Sequence, residues 1–193
     1  TAQGTTVVTW SFDDGNGNDI DVVQTVIVDD VTDPIISCPS NITVSNDAGQ
    51  CGAIVSFTAT ATDNCGGTPT ITYDQNHGTY FPVGNTTVNA TADDGNGNTA
   101  NFSYTGTVED NESPNAVFQN VTVSLDGSGN ASITPLDIGS GSTDNCSIAS
   151  ISLDQTMFGC GDVGANTVTL TVTDASGNSS MCTAIVTVED NTI

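Results

Sequence analysis

Short alternations of apolar and polar residues run the length of the chain, and none lengthens into a run with helical spacing. Residues 166–173, Asn-Thr-Val-Thr-Leu-Thr-Val-Thr, place every second side chain on one face, the period of a half-buried strand. Residues 7–12 predict another strand, 13–19 an Asn-Gly turn closing a hairpin, and 21–28 the returning strand. Further strands are expected at 41–44, 53–59, 70–73, 86–92 and 101–108, with turns at 46–50 and 93–98. The pattern returns with strands at 117–125, 131–134, 148–153, 166–173 and 181–188, and a turn at 126–130. Many short Thr/Val/Ile strands punctuated by Gly, Asn and Asp predict an all-β fold of antiparallel β-sandwiches.

The pattern has a fixed period. Val28-Asp29-Asp30-Val31-Thr32-Asp33-Pro34 returns eighty residues later as Val108-Glu109-Asp110-Asn111-Glu112-Ser113-Pro114, and again at Val188-Glu189-Asp190-Asn191. Asp14-Gly15-Asn16-Gly17-Asn18 recurs at Asp94–Asn98 and, altered, at Asp174–Asn178. Asp63-Asn64-Cys65 recurs as Asp144-Asn145-Cys146. A period of this length means modules in series. Residues 34–113 and 114–193 read as two complete modules in line, joined at acidic hinges. Residues 1–33 match only the end of a module and read as the C-terminal strand pair of an incomplete one, so the chain is expected to be a piece of a longer polypeptide or a processed form. Val7, Trp10, Val23 and Val26 in that pair would need cover, since a lone hairpin is not stable in water. Trp10, within an alternating strand, is expected in a core.

Charge narrows the functions. The chain has no Lys or Arg against 23 acidic residues, a formal charge of −23, with His77 its only histidine. Nucleic acid is excluded as a partner, because phosphate binding needs Lys and Arg; an anionic membrane surface is excluded on the same ground. No apolar run is long enough to span a bilayer. Six cysteines and nine Asn-X-Ser/Thr sequons fit a secreted or cell-surface setting. No nucleophile elbow occurs, no insertion suggests a cleft for paired carboxylates, and His77 sits in a polar turn. The chain reads as a non-enzyme.

The motifs Ile36-Ser37-Cys38-Pro39-Ser40-Asn41-Ile42-Thr43-Val44, Gly49-Gln50-Cys51-Gly52-Ala53, Thr62-Asp63-Asn64-Cys65, Phe81-Pro82-Val83-Gly84 and Asp94–Asn98 resemble a hyalin repeat (HYR) module. Phe158-Gly159-Cys160 and residues 169–178 resemble the variant found beside such modules. The resemblance covers essentially the whole chain and points to large extracellular surface proteins, notably of Bacteroidota-type bacteria. It implies an immunoglobulin-like fold, adhesion or extracellular scaffolding, and no catalysis.

In such a sandwich the hinge, the loop after the second strand and the last hairpin loop share a pole. Asp29, Asp30 and Asp33 should therefore meet Asp63, Asn64 and Asp94, and the next joint should gather Glu109, Asp110, Glu112, Asp144, Asn145 and Asp174. Any one Asp is explained as a turn former. Three converging loops in a chain without one Lys or Arg point instead to Ca2+, which takes 6–8 oxygen ligands. Asp14–Asp19 imitates the start of an EF-hand loop but lacks Gly at the sixth position and has Thr25 at the twelfth, so it reads as a hairpin turn.

The cysteines are read by comparing modules. The third repeat lacks counterparts of both Cys38 and Cys51, which favours these two as a pair. Loop position favours Cys146 with Cys182, leaving Cys65 and Cys160 open to a bond across a joint or to another chain. The resulting expectation is a repeat segment of an extracellular filament, stalk or adhesin, stiffened by Ca2+ and joined head to tail with neighbouring modules or copies. A glycan- or protein-binding adhesion module, or a spacer attached to a secreted enzyme, are its rivals.

Overall fold

The computed structural model describes residues 3–65 and 67–191. In chain order its strands are β1 (Gly4–Asp13), β2 (Asp19–Val28), β3 (Ile35–Ser37), β4 (Ile42–Ser45), β5 (Gly52–Val55), β6 (Thr60–Thr62), β7 (Thr70–Tyr73), β8 (Thr79–Pro82), β9 (Gly84–Asp93) and β10 (Thr99–Glu109). There follow β11 (Val121–Ser124), β12 (Asn130–Ser132), helix α1 (Pro135–Gly139), β13 (Ile148–Leu153), β14 (Met157–Gly159), β15 (Gly164–Asp174) and β16 (Ser179–Glu189). The all-β, sandwich-like expectation holds. Four-stranded sheets run β4-β10-β9-β7 and β11-β16-β15-β13, with two-stranded pairs β3-β6, β5-β8 and β12-β14.

The differences are local. Strands β3, β6, β8 and β14 have three or four residues each, too few to show a period. Helix α1 follows a Thr-Pro-Leu-Asp signal: Pro135 needs no amide partner at the helix start, and the Thr134 amide and hydroxyl both donate to Asp137 Oδ2, at 2.6 and 2.8 Å. Edge strand β11 pairs with β16 in parallel, Val121 opposite Val186, a departure from the antiparallel expectation.

Contacts gather into two compact units. The first comprises the chain through Ile42, Ser56–Thr79 and Thr87–Gly106; the second comprises Thr43–Val55, Tyr80–Thr86 and the chain from Thr107 onward. In the first, Phe57 stacks edge-on against Tyr73 and Tyr104, both at 5.3 Å, beside the buried Val88, Ala90 and Ala92. Hairpin β1–β2 belongs to this unit and pairs from Gly4↔Val28 to Asp13↔Asp19. Its apolar side chains are uncovered. Trp10 is 52% exposed, against the expectation that it lies in a core, and its indole N–H donates to Gln24 Oε1 at 3.0 Å. A strand face becomes core only when a second layer covers it.

In the second unit the core is a continuous cluster of Leu125, Ile133, Ile138, Phe158, Val168, Leu170, Val172, Ala184, Val186 and Val188. Val168, Leu170, Val172, Ala184, Val186 and Val188 are the inward positions of β15 and β16, whose register runs from Gly164↔Val188 to Thr173↔Ser179. The long hairpin thereby fixes where its turn, Asp174–Asn178, is held. No helix among the described residues is long and apolar enough to cross a membrane.

Candidate metal centres

Two sets of three acidic side chains come together: Asp30, Asp63 and Asp94 in the first unit, and Asp110, Asp144 and Asp174 in the second. Each residue offers a carboxylate oxygen, and within each set these oxygens all lie within 4.8 Å of one another. Two unit charges at that distance repel by roughly 3–4 kcal/mol at an effective dielectric constant of about 20.

Each set is built from the same three local devices. The first is the hinge: Asp30 Oδ1 accepts from the Thr32 amide at 3.1 Å, and Asp110 Oδ1 from the Glu112 amide at 3.2 Å. The second is the Asp-Asn-Cys loop: Asp63 Oδ2 accepts from the Cys65 amide and Asp144 Oδ2 from the Cys146 amide, both at 2.8 Å. The third is the turn ending the long hairpin. Asp94 Oδ1 accepts from the amides of Asn96 (2.8 Å) and Asn98 (3.1 Å), and its Oδ2 from the Asn98 side chain at 2.7 Å. Asp174 repeats this with Ser176 (2.9 Å) and Asn178 (2.8 Å for each contact). Desolvation raises the pKa of Asp94 and of Asp174, but the bonds from Asn98 and from Asn178 and their neighbours outweigh it and hold both below the ordinary carboxylate value.

After these bonds, oxygens remain unmatched. Asp30 Oδ2, Asp63 Oδ1 and Asp144 Oδ1 are buried with no hydrogen-bond partner. Asp174 is 2% exposed and Asp110 6%. A buried carboxylate oxygen without donor or cation is costly, and the chain has no Lys or Arg to supply one. Hard, oxygen-only donors of this kind suit hard cations such as Ca2+, Mg2+ or Mn2+.

Of the other expected residues, Asn145 is bonded to a cluster carboxylate, that of Asp110. Asp29, Asp33 and Glu109 are exposed and outside both sets. Glu112 points its carboxylate at the Gly49 amide, 3.0 and 2.9 Å away, and so ties the hinge to the 46–50 turn. Asn64 donates to Cys65 Sγ at 3.5 Å; Asn145 donates to Gln50 O at 3.0 Å and to Asp110 Oδ1 at 3.3 Å. Sequence reading passed over Asn98 and Asn178, whose side chains also donate to the hinge carbonyls of Asp30 (3.1 Å) and Asp110 (3.0 Å). It passed over Ser176 too, whose hydroxyl donates to Asp110 Oδ2 at 3.3 Å. The signal was present: the last Asn of each turn recurs at the period.

The cysteines pair otherwise than expected. Cys51 is bonded to Cys146, while Cys38, Cys65, Cys160 and Cys182 are free thiols. Cys38–Cys51 does not form: Cys51, just before β5, is taken by Cys146, and Cys38, just after β3, keeps a free thiol. Cys146–Cys182 fails on register. The Ala175 amide donates to Ser147 O, anchoring the Cys146 loop at the hairpin turn. Cys182 lies opposite Leu170, about 10 Å down the strands from that turn, and packs against the core.

The fold and these centres define a class: an all-β chain built of repeats whose acidic loops converge in threes. Residues 29–109 match the HYR domain. The chain is 40% identical over 106 residues to hyalin of Strongylocentrotus purpuratus and 38% identical over 119 residues to hyalin of Lytechinus variegatus. These matches take in 53% and 59% of the chain but only 9% and 22% of those relatives, so it spans a minor part of their length. The bacterial source that the resemblance suggested has no support in them. Among solved structures, a protocadherin gammaB7 EC3-6 cis-dimer structure aligns with a TM-score of 0.45 and 13% identity, covering 96% of this chain and 58% of that one.

Proposed function

We propose that the chain is a structural repeat segment of an extracellular filament, stalk or adhesin whose acidic joints bind Ca2+. In this reading residues 34–113 and 114–193 are successive HYR-like modules, and residues 1–33 are the closing strand pair of another. Strands from the same longer polypeptide or a neighbouring chain complete that pair, and modules join head to tail. Adhesive or scaffolding partners are other modules or copies of the same kind; no catalysis is assigned.

The observation that carries this is the duplicated carboxylate cluster with buried, unmatched oxygens in a chain that has no Lys or Arg to offset them. Asp30, Asp63 and Asp94 would hold one ion, and Asp110, Asp144 and Asp174 a second. An ion bound at 100 times its dissociation constant stabilises the folded state by about 2.7 kcal/mol per site. The thermal midpoint should therefore rise with added Ca2+ and fall with EDTA, and calorimetric titration should count two sites. A midpoint indifferent to both reagents sinks the calcium reading.

A further inference from the structure

The Cys51–Cys146 bond joins the second repeat of the sequence to the third, and the surroundings of both sulfurs recur where no bond is made. On one side stands the loop. Around Cys65 the hydrogen bonds of the Cys146 loop are reproduced, with Asp63 Oδ2 accepting the Cys65 amide and the Asn64 side chain 3.5 Å from Cys65 Sγ, against 3.6 Å for Asn145 and Cys146. On the other side stands the turn that receives it. In the second repeat the Asp47 amide donates to Gly52 O and the Gln50 amide to Asp47 O; Gln50 O then takes the Asn145 side chain. In the third repeat the Asp126 amide donates to Asn130 O and the Gly129 amide to Asp126 O. Gly129 is thus the counterpart of Gln50, and Cys51 is an inserted residue with no counterpart.

A thiol nevertheless reaches that place. Cys160, just beyond β14, lies with Sγ 3.8 Å from Gly129 O, and so close to Gly129 that a Cβ added there would meet the sulfur at 2.7 Å. Only a glycine leaves that room, and Gly129 also takes a φ of +74°. The third repeat therefore presents the same pair of groups as the second, a turn carbonyl for an Asn side chain and an exposed sulfur for a Cys, with the sulfur delivered from the opposite strand.

We infer that Cys160 forms a disulfide with the cysteine of an Asp-Asn-Cys loop on another repeat of this type, and that the Gly129 carbonyl receives that loop's Asn. Cys65 is the cysteine of this kind within the present sequence. The two thiols lose two protons and two electrons to a small-molecule disulfide such as oxidised glutathione, which leaves as two thiols. Cys38 and Cys182 are poor competitors, since burial pushes both thiols up and disfavours the thiolate. The inference rests on the reading of these repeats as units joined in series, but it does not need the cation.

Peptide mapping of the native protein without reduction, after cleavage at Asp and Glu, tests it. The Cys51–Cys146 link serves as the internal control. Cys160 should be recovered joined to a cysteine preceded by Asp-Asn; the mass tells Cys65 of a second copy from the loop of a further repeat, and either supports the inference. Recovery of Cys160 as a free thiol, or joined to Cys38 or Cys182, overturns it. A positive calcium titration beside a free Cys160 would discard the covalent link and keep the metal reading.

Discussion

The two acidic clusters are near copies in their donors, their hydrogen bonds and their unmatched oxygens, yet only one adjoins a disulfide. In the second unit Cys146 stands two residues after Asp144 in the loop, and its bond to Cys51 pins that loop to the turn whose Gln50 carbonyl takes Asn145. In the first unit Cys65 follows Asp63 in the same way and carries a free thiol. The carboxylate geometry thus comes from short loop sequences and forms with or without the cross-link. The cross-link acts on something else: it ties residues 95 positions apart and restricts the unfolded chain.

That separation of roles can be broken experimentally, and the largest effect should come from the disulfide. Replacing both partners, Cys51→Ser with Cys146→Ser, should cost the second unit about 3–5 kcal/mol for a loop of this length. Calorimetry should show that unit's transition falling while the first unit's holds. Loss of the calcium response in the same variant would show that the cluster depends on the cross-link after all.

A smaller, sign-changing effect should follow from single ligands. Asp144→Asn and Asp63→Asn each remove one of three crowded charges, so without calcium either variant should be neutral or slightly stabilised. With calcium, each should bind at its own site at least tenfold more weakly, about 1.4 kcal/mol. Isothermal titration of the two variants side by side sharpens the comparison, because equal losses mean the loops alone set the affinity. Destabilisation in EDTA would mean that the carboxylates are there for local hydrogen bonds.

The smallest effect is acid lability, common to both clusters. Asp94 and Asp174 are held below the ordinary carboxylate value in the folded state, despite desolvation, by the side-chain and amide donors of their turns. A folded pKa below the unfolded one means stability that is fully present above about pH 4 and lost as pH falls through the folded value. Asp14, lowered by the Asn18 side chain and by the amides of Asn16 and Asn18, should behave alike although its turn belongs to neither cluster found among the described residues. Thermal midpoints measured from pH 5 down to 2 in EDTA should fall steadily. A flat profile would show that the turn bonds do not stabilise the fold.

Much of this was written in local sequence. Alternation gave the long strands β9, β10, β15 and β16, because inward positions spaced by two must share a face. The eighty-residue period named Asp30, Asp63, Asp94 and their copies, because a turn of Asp, Gly and Asn bonds itself wherever it is placed. The remainder needed the third dimension. Whether Trp10 is core depends on a second layer that no strand pattern can reveal. Which hinge acids converge, Asp30 but not Asp29 or Asp33, depends on side-chain direction along an irregular segment with no period to read. The Cys51–Cys146 bond lay furthest from view, because a disulfide obeys the distance between two Cβ atoms, and tertiary packing alone sets that distance for residues in different repeats.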